Sequence, residues 1–451
     1  MKTKIVATYG PGIAPRHILS KVLKHVDVVR INFSHADEEA ALRDVENINS
    51  VSRMIGKEVA LLADLPGPKI RLGAMKSSIE VGKSDIVTFR YGSGAASKGR
   101  IPLGFDIYKY LKKGSLISIG DGYPNLSVEK LSGGDITCRA LGSGTLSSRK
   151  GINIRHGDVT AAPPTGEDLR LARFAKKAGF DFIAMSFVRS ADNVSSMRRR
   201  IGDAYIISKI ERAEAVRRID EISAESDAIM VARGDLAFEV GVEMVPTMQT
   251  RIMRSALKFH KPVIVATHML MSMVNNPMPT RAEVTDIATA VLGSADCLMM
   301  SDETAIGKYP IEAVRTMATT ARNAEEAAMP ATGFKITSIE EGIAYAAKEL
   351  ADNYRTGCIF VPTESGHTAM TLSAMRPKSE VIALSRSGKV RRKLSLYYGV
   401  RSEGITHYRT AAQLFAEVRG IAKRHGIKHY IVVSGVPHQK GSTKMLQYMA
   451  E

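Results

Sequence analysis

AYIISKIERAEAV (204–216), followed after one short helix by DAIMVARGDLAFEV (227–240), is the stretch from which the fold reads outward. Lys209 and Glu211 interrupt an otherwise apolar run two residues apart, so an extended backbone turns both side chains to one face. The second run closes on Arg233, Gly234 and Asp235, a further carboxylate and a glycine where a helix can begin. Two carboxylates from neighbouring strand ends, with a lysine between them, suit a divalent metal held against an anionic substrate. A strand-edge salt bridge explains one such run as well.

The same pattern recurs along the chain. Strands are expected at 2–10, 26–33, 58–65, 180–188, 204–210, 227–234, 262–267 and 295–300, each followed by a helix-like stretch. Eight near-continuous apolar strands alternating with helices predict an α/β fold, a (β/α)8 TIM barrel, with an open doubly wound sheet as the alternative. The barrel ranks first because polar residues fall at the strands' C-terminal ends: Arg30 and Asn32, Asp64, Ser186, Lys209 and Glu211, Asp235, Thr267, Ser301. In a barrel those ends converge on one mouth.

Residues 68–160 interrupt this rhythm with alternating polar and apolar positions and the turn pairs Asp121-Gly122 and Gly133-Gly134, which predict an inserted all-β domain placed as a lid. The barrel then comprises residues 1–67 and 161–330. From 331 to 451 the alternation starts afresh, with a helix at 338–354, strands at 357–361 and 380–384, and a last strand at 429–435. This reads as a C-terminal α/β domain with a small parallel sheet.

Composition narrows the class. The 451 residues carry 44% hydrophobic and 24% charged side chains, as in a soluble globular protein of two to four domains. No run reaches the roughly 18 apolar residues of a membrane span, and MKTKIVATYG lacks a signal-peptide pattern, so no membrane and a cytoplasmic location are expected. Cys138, Cys297 and Cys358 are scattered and odd in number, against a disulfide framework or a thiolate metal site. The formal charge of +17 attracts nucleic acid or small phosphorylated anions alike. Because the cations are dispersed and the densest run, Arg198 to Arg200, lacks interleaved aromatics, phosphorylated substrates are preferred and no nucleic acid is expected.

At the mouth, Arg30 offers a planar fork for phosphate, with Asn32, Ser34 and His35 beside it, although Ser34 also reads as the cap of a helix beginning near Asp37. LADLPGPKIRLG (62–73) adds Asp64, Lys69 and Arg71 at the hinge into the insert. Gly234 and Asp235 open a helix whose amides suit an anion. Thr267 and His268 end the seventh strand, and Ser301, Asp302 and Glu303 the eighth.

These stretches together resemble the pyruvate kinase family. The matching runs are KIVATYGP, VVRINFSH, GPKIRLG, RKGINI, MSFVR, ISKIE, IMVARGDLAFE, KPVIVATHML, PTRAEVTDIATAV and MSDETAIGKYP, in the family's order across residues 2–330. The resemblance implies phosphoryl transfer between phosphoenolpyruvate and ADP, with Glu211 and Asp235 holding Mg2+ or Mn2+. It implies that Lys209 stabilises the phosphoryl group and the enolate and that Arg30 binds phosphate. The Gly234 and Asp235 amides and Thr267 would take the substrate carboxylate. Asn32, Ser34, His35, Arg71 and Lys150 would lie at the nucleotide. No His, Glu or Tyr is placed by the sequence to protonate the enolate; the family's usual route is water relayed through hydroxyls such as Thr267 and Ser301, and the donor stays open. TESGHTA (363–369) is similar to the family's effector-phosphate loop, with Thr363, Ser365, Gly366 and Thr368 facing Lys440 and Lys444. A homotetramer is implied as well.

Three departures stand out. Lys69 and Leu65 replace the Glu and Thr that many members have near a K+ pocket at Asn32, Ser34 and Asp64; a lysine there repels a monovalent cation and supplies its charge, so K+ is expected not to be required. His268 stands for Gln and Asp302 for Gly. Two rival readings are a Mg2+-dependent barrel aldolase acting on an α-keto acid, which has no use for Lys209, and a catalytically silent RNA-binding barrel, which has no use for the complete carboxylate and lysine set.

Overall fold

The computed structural model describes residues 1–68, 70–92, 100–120, 124–154, 162–328, 336–354, 356–406, 408–435 and 443–450. Eight parallel strands close into a barrel in sequential order: β1 (Lys4–Thr8), β2 (Val28–Asn32), β3 (Ala60–Asp64), β4 (Phe182–Met185), β5 (Tyr205–Ile210), β6 (Ala228–Ala232), β7 (Val263–Ala266) and β8 (Cys297–Met300). The ring is completed where Lys4 of β1 pairs with Cys297 of β8. The open-sheet alternative is thereby excluded.

The strands are apolar throughout because both faces are covered. One set of alternate residues, including Ile5, Val29, Leu61, Ile183 and Ile206, packs against the outer helices. The other set, including Val28, Leu62, Phe182, Tyr205, Ile207 and Met230, fills the lumen. Lys209 follows Tyr205 and Ile207 in the inward set, as Arg30 follows Val28 and Asp64 follows Leu62. The period of two thus carries these charges into the mouth. Asp37 rather than Ser34 caps the helix Glu38–Ile55, its side chain accepting from the Ala40 amide; Ser34 lies one loop too early.

The insert leaves after β3 and returns before β4. Seven strands form one sheet in the order Ile70–Arg71, Gly151–Ile154, Leu116–Ile119, Asn125–Ser132, Asp135–Ala140, Ile86–Tyr91, Arg100–Leu103. A bridge from Leu72 to Leu103 brings the two ends of that sheet together around a core of its own. Gly133 and Gly134 both adopt positive φ, 55° and 86°, in the hairpin between Asn125–Ser132 and Asp135–Ala140. Asp121-Gly122 lies outside the described residues. At the hinge Gly67 has φ 63°, and its amide donates to Asp168 Oδ1 at 2.9 Å. A Cβ there would stand 2.8 Å from Ser186 Cβ, so only glycine fits.

The C-terminal sheet runs Val400–Glu403, Glu380–Leu384, Cys358–Pro362, His429–Gly435, Thr443–Ala450. Four of these strands are parallel, but the final one is antiparallel, which corrects the wholly parallel sheet expected and makes 443–450, not 429–435, the last strand. This domain closes the base of the barrel. The lumen cluster continues without a break into Ala369, Leu394, Leu396 and Tyr397. Across that junction the Tyr205 and Tyr397 hydroxyls meet at 2.7 Å, Lys4 Nζ donates to the Val400 carbonyl at 2.6 Å, and Arg376 pairs with Asp296 at 3.0 Å. Among the described residues no helix is long and apolar enough to cross a membrane.

Candidate active site

Lys209 is the centre of the mouth. Its ammonium donates to Asp64 Oδ1 at 3.0 Å and to Ser186 Oγ at 2.7 Å, and forms an ion pair with Glu211 Oε1 at 3.0 Å. Burial alone would lower its pKa, but the Asp64 and Glu211 carboxylates outweigh that and hold it above the usual lysine range. Asp64 is shared: its Oδ2 accepts from Arg30 Nε at 2.7 Å. Burial would raise the Asp64 carboxyl, and Lys209 and Arg30 together hold it below its ordinary value. The Arg30 guanidinium also donates to Thr8 Oγ1 at 2.9 Å. Alternating charge thus runs Arg30, Asp64, Lys209, Glu211 across strands β2, β3 and β5, each buried group compensated by its neighbour.

Glu211, 1% exposed, is oriented by a second contact: its Oε2 accepts the Phe187 amide at 2.6 Å. Phe187 reaches it from φ 58°, a left-handed backbone that aims the N–H into the site. Asp235 lies in the first turn of the helix Arg233–Val240. Its field acts on both Lys209 and, from the insert, Arg71; burial lowers the Arg71 guanidinium and Asp235 works against that shift. Among the described residues no group of three or more His, Cys, Asp or Glu converges as a self-sufficient metal site. Glu211 and Asp235 therefore offer two hard oxygen donors, a set that suits a divalent cation taking its remaining ligands from substrate and water. Among the groups just named on the barrel, Arg30 and Lys209 stand against Asp64, Glu211 and Asp235. Such a mouth takes a phosphorylated carboxylate only if a further cation joins it.

In the neighbouring loop, after β7, Thr267 and His268 carry positive φ in succession, 69° and 54°. For residues with a Cβ this costs roughly 1–2 kcal/mol each. Thr267 Oγ1 donates to the Ala266 carbonyl at 2.6 Å and accepts the Gly234 amide at 2.8 Å. The Gly234 N–H, expected to face a ligand, is thus committed to the Thr267 hydroxyl, because the left-handed turn brings that oxygen over the helix start. The His268 ring lies beside Gly234, Cε1 being 3.7 Å from where a Cβ would stand. Ser301 precedes the short helix Asp302–Ala305; Glu303 turns back to accept the Ser301 amide at 2.7 Å and the Leu270 amide at 2.9 Å, tying the loops after β7 and β8 together.

The remaining expected residues divide. Asn32 Oδ1 accepts the Ser34 amide at 3.0 Å, and His35 is exposed beside them. Leu65 is 1% exposed and packs under the hinge. Arg71 donates to the Arg149 carbonyl at 3.1 Å, and Lys150 Nζ to the Thr145 carbonyl at 2.9 Å, so Lys150 rests against its own domain. In the C-terminal domain Thr363 Oγ1 accepts the Gly366 amide at 2.9 Å and Ser365 Oγ accepts the His367 amide at 3.4 Å; Gly366, with φ 87°, precedes the helix His367–Ala374 that holds Thr368. Lys69 and Lys440 lie outside the described residues, as does the side chain of Lys444. Sequence reasoning missed Thr8, the Phe187 amide and Arg233. A concavity of about 930 Å3 on the outer helices, lined by Arg217, Arg251 and Arg254, contains none of these groups.

Comparison with known proteins bears on this geometry. A family model described as pyruvate kinase, barrel domain, matches residues 1–314, and one described as pyruvate kinase, alpha/beta domain, matches residues 341–448. Pyruvate kinase of Thermococcus litoralis is 37% identical over 417 residues, 88% of either chain. That of Clostridium perfringens is 33% identical over 469 residues, 99% of either chain. That of Bacillus licheniformis is 35% identical over 466 residues, 99% of this chain and 80% of the relative.

Proposed function

The chain belongs to the pyruvate kinase family and moves the phosphoryl group of phosphoenolpyruvate to ADP, giving pyruvate and ATP; from that premise we propose the roles its own residues take. The observation that carries the proposal is the buried, protonated Lys209 between Asp64 and Glu211. The reaction breaks the bond from phosphorus to the enol oxygen and makes one from phosphorus to a terminal oxygen of ADP; the enolate carbon then gains a proton. Positioning and charge neutralisation supply most of the rate.

Arg30 and Lys209 bind the phosphoryl oxygens, and Lys209 also meets the enolate oxygen as charge develops there. Thr267, with the Gly234 and Asp235 backbone, takes the substrate carboxylate, a role that requires the Gly234 amide to exchange its Thr267 contact for substrate. Thr267 and Ser301 relay the proton through water. Asn32, Ser34, His35, Arg71 and Lys150 contact the nucleotide, the last two carried by the insert, residues 68–160, which acts as a lid over the mouth. Family members need a divalent metal; Glu211 and Asp235 would hold it, as Mg2+ or Mn2+, and when bound it neutralises charge on the phosphoryl and enolate oxygens.

Asp64 already has a cation on each oxygen, which supports activity without K+, as does the lysine at position 69. Pyruvate formation with ADP and Mg2+ is expected to be equal in Na+ and K+ buffers. A strong rise on exchanging Na+ for K+ would refute this, and no pyruvate in either buffer from folded protein would overturn the whole reading. Titrating sugar phosphates and nucleotides into the same assay tests the effector loop at Thr363, Ser365, Gly366 and Thr368.

We place the enzyme in the cytoplasm, consistent with three free, buried cysteines. We also propose a homotetramer. Large apolar side chains left exposed on both parts, among them Val242 and Met278 on the barrel and Ile339 and Tyr354 on the C-terminal domain, support subunit contacts. Sedimentation is expected to give four times the 49.0 kDa chain mass; a monomer at micromolar concentration would exclude it.

A further inference from the structure

Arg233 immediately precedes the two residues expected to serve substrate and metal, yet its own side chain turns away from them. The guanidinium is 8% exposed and spans four acceptors. Nε and one terminal nitrogen donate to the Thr267 carbonyl at 3.1 and 2.7 Å, and that terminal nitrogen also reaches the His268 carbonyl at 3.1 Å and Met269 Sδ at 2.8 Å. The other terminal nitrogen is 2.6 Å from Asp286 Oδ2 on the helix Arg281–Leu292. The carbonyls gripped are those of the two consecutive left-handed residues, Thr267 and His268. Their conformation puts Thr267 Oγ1 on the Gly234 amide.

We propose that Arg233 and Asp286 form a positioning clamp that holds this strained turn, and with it the Thr267 hydroxyl, at the mouth. A threonine at φ 69° does not stay there on its own preference; a β-branched residue in the left-handed region persists only where surrounding contacts over-determine it. Arginine suits the task because its planar fork reaches several fixed acceptors at once, which an ammonium on a flexible stem does not. Asp286 anchors the far end, so the fork cannot rotate off the carbonyls. The three elements joined, the helix after β6, the turn after β7 and the helix Arg281–Leu292, are consecutive in the barrel wall. Neither clamp residue touches the reacting atoms; both act through Thr267.

The proposal rests on the pyruvate kinase reading for what Thr267 does, but the clamp itself is read without activity. In Asp286→Asn, hydrogen-exchange protection of the Gly234 amide is expected to fall at least tenfold, while the protection of β6 and β7 is retained. The kinetics should split, with kcat for pyruvate formation down about tenfold and KM for ADP unchanged. Arg233→Lys should lose about a hundredfold in kcat. Adding His268→Gly to Arg233→Lys, which relieves one of the two strained residues, should recover several-fold. A residue of merely structural worth would show no such recovery, only an activity loss matching the unfolded fraction. Unchanged Gly234 protection and unchanged kinetics in Asp286→Asn would overturn the clamp. An inactive wild type with normal loss of protection in the variant would instead overturn the functional reading and leave the clamp standing.

Discussion

Replacing Lys209 by Met is expected to lower kcat by about 10³-fold or more, with a smaller change in KM for phosphoenolpyruvate. A single preorganised donor at a developing oxyanion is worth roughly 10²–10³ in rate, and Lys209 is proposed to face two such centres, the phosphoryl group and the enolate. Methionine nearly matches the lysine stem in length, so packing around β5 is kept, but two carboxylates lose a partner. Asp64 retains Arg30, and Glu211 retains the Phe187 amide. Stability should therefore fall by less than the roughly 3–5 kcal/mol typical of a broken buried pair, and circular dichroism at the assay temperature separates unfolding from lost chemistry. The raised pKa of Lys209 sets a second expectation. Its contribution to stability is fully present below the unfolded lysine value of about 10.4 and is lost only as pH rises through the higher folded value, so no alkaline fall in kcat below about pH 10 belongs to this group. A kcat within tenfold of wild type would remove Lys209 from the mechanism.

Asp64→Asn should be the second most damaging change, although Asp64 is not proposed to touch the substrate. It is the one carboxylate shared by Arg30 and Lys209. Asparagine presents an NH2 to one of those two donors and leaves the cations facing each other in a buried site. The expected result is a loss of about 10²-fold in kcat and a melting temperature lower by roughly 5 °C or more. The pH dependence carries the sign. The Asp64 carboxyl has a depressed folded pKa, so its contribution is present above the unfolded value of about 3.9 and is lost as pH falls through the folded value. The stability gap between wild type and variant should therefore narrow on acidification. With Asp64 neutral, Lys209 also loses the first of the carboxylates that raise its pKa, and an alkaline limb should enter the rate profile at lower pH than in the wild type. A variant with an unshifted rate profile and unchanged melting would mean that the shared carboxylate is dispensable.

How much of this was legible in the sequence depended on whether a signal was periodic. Tyr205, Ile207 and Lys209 share a face by the period of two, so the barrel, its mouth and the Lys209 and Glu211 pair could all be read from alternation in single strands. Contacts that join distant strands left no such trace. Asp64 suggested a cation pocket, yet both of its oxygens meet side-chain cations from β2 and β5, which only the closed barrel brings together. Arg233 reads in the sequence only as the residue before Gly234 and Asp235, and Asp286 carries no signal of its own; their ion pair spans 53 positions. Val400–Glu403 was missed because an edge strand needs only one buried residue and here three of its four are polar. TKMLQYMA was missed because lysine, methionine, leucine, glutamine and alanine favour helix, and pairing with His429–Gly435 overrides that preference.

The shared core beneath the barrel also governs the order in which the chain can assemble. A barrel that closed its own base would have a finished lumen once β8 joined β1. Here the lumen cluster ends on Leu394, Leu396 and Tyr397, and the hydroxyl that meets Tyr205 lies 192 positions further along the chain. During synthesis from the N-terminus, the strand bearing Lys209 emerges long before the residues that seal its lower end. Its packing stays incomplete until nearly the whole polypeptide has been made. The insert, with its strands from Ile70 to Ile154 and its own core, has no such wait.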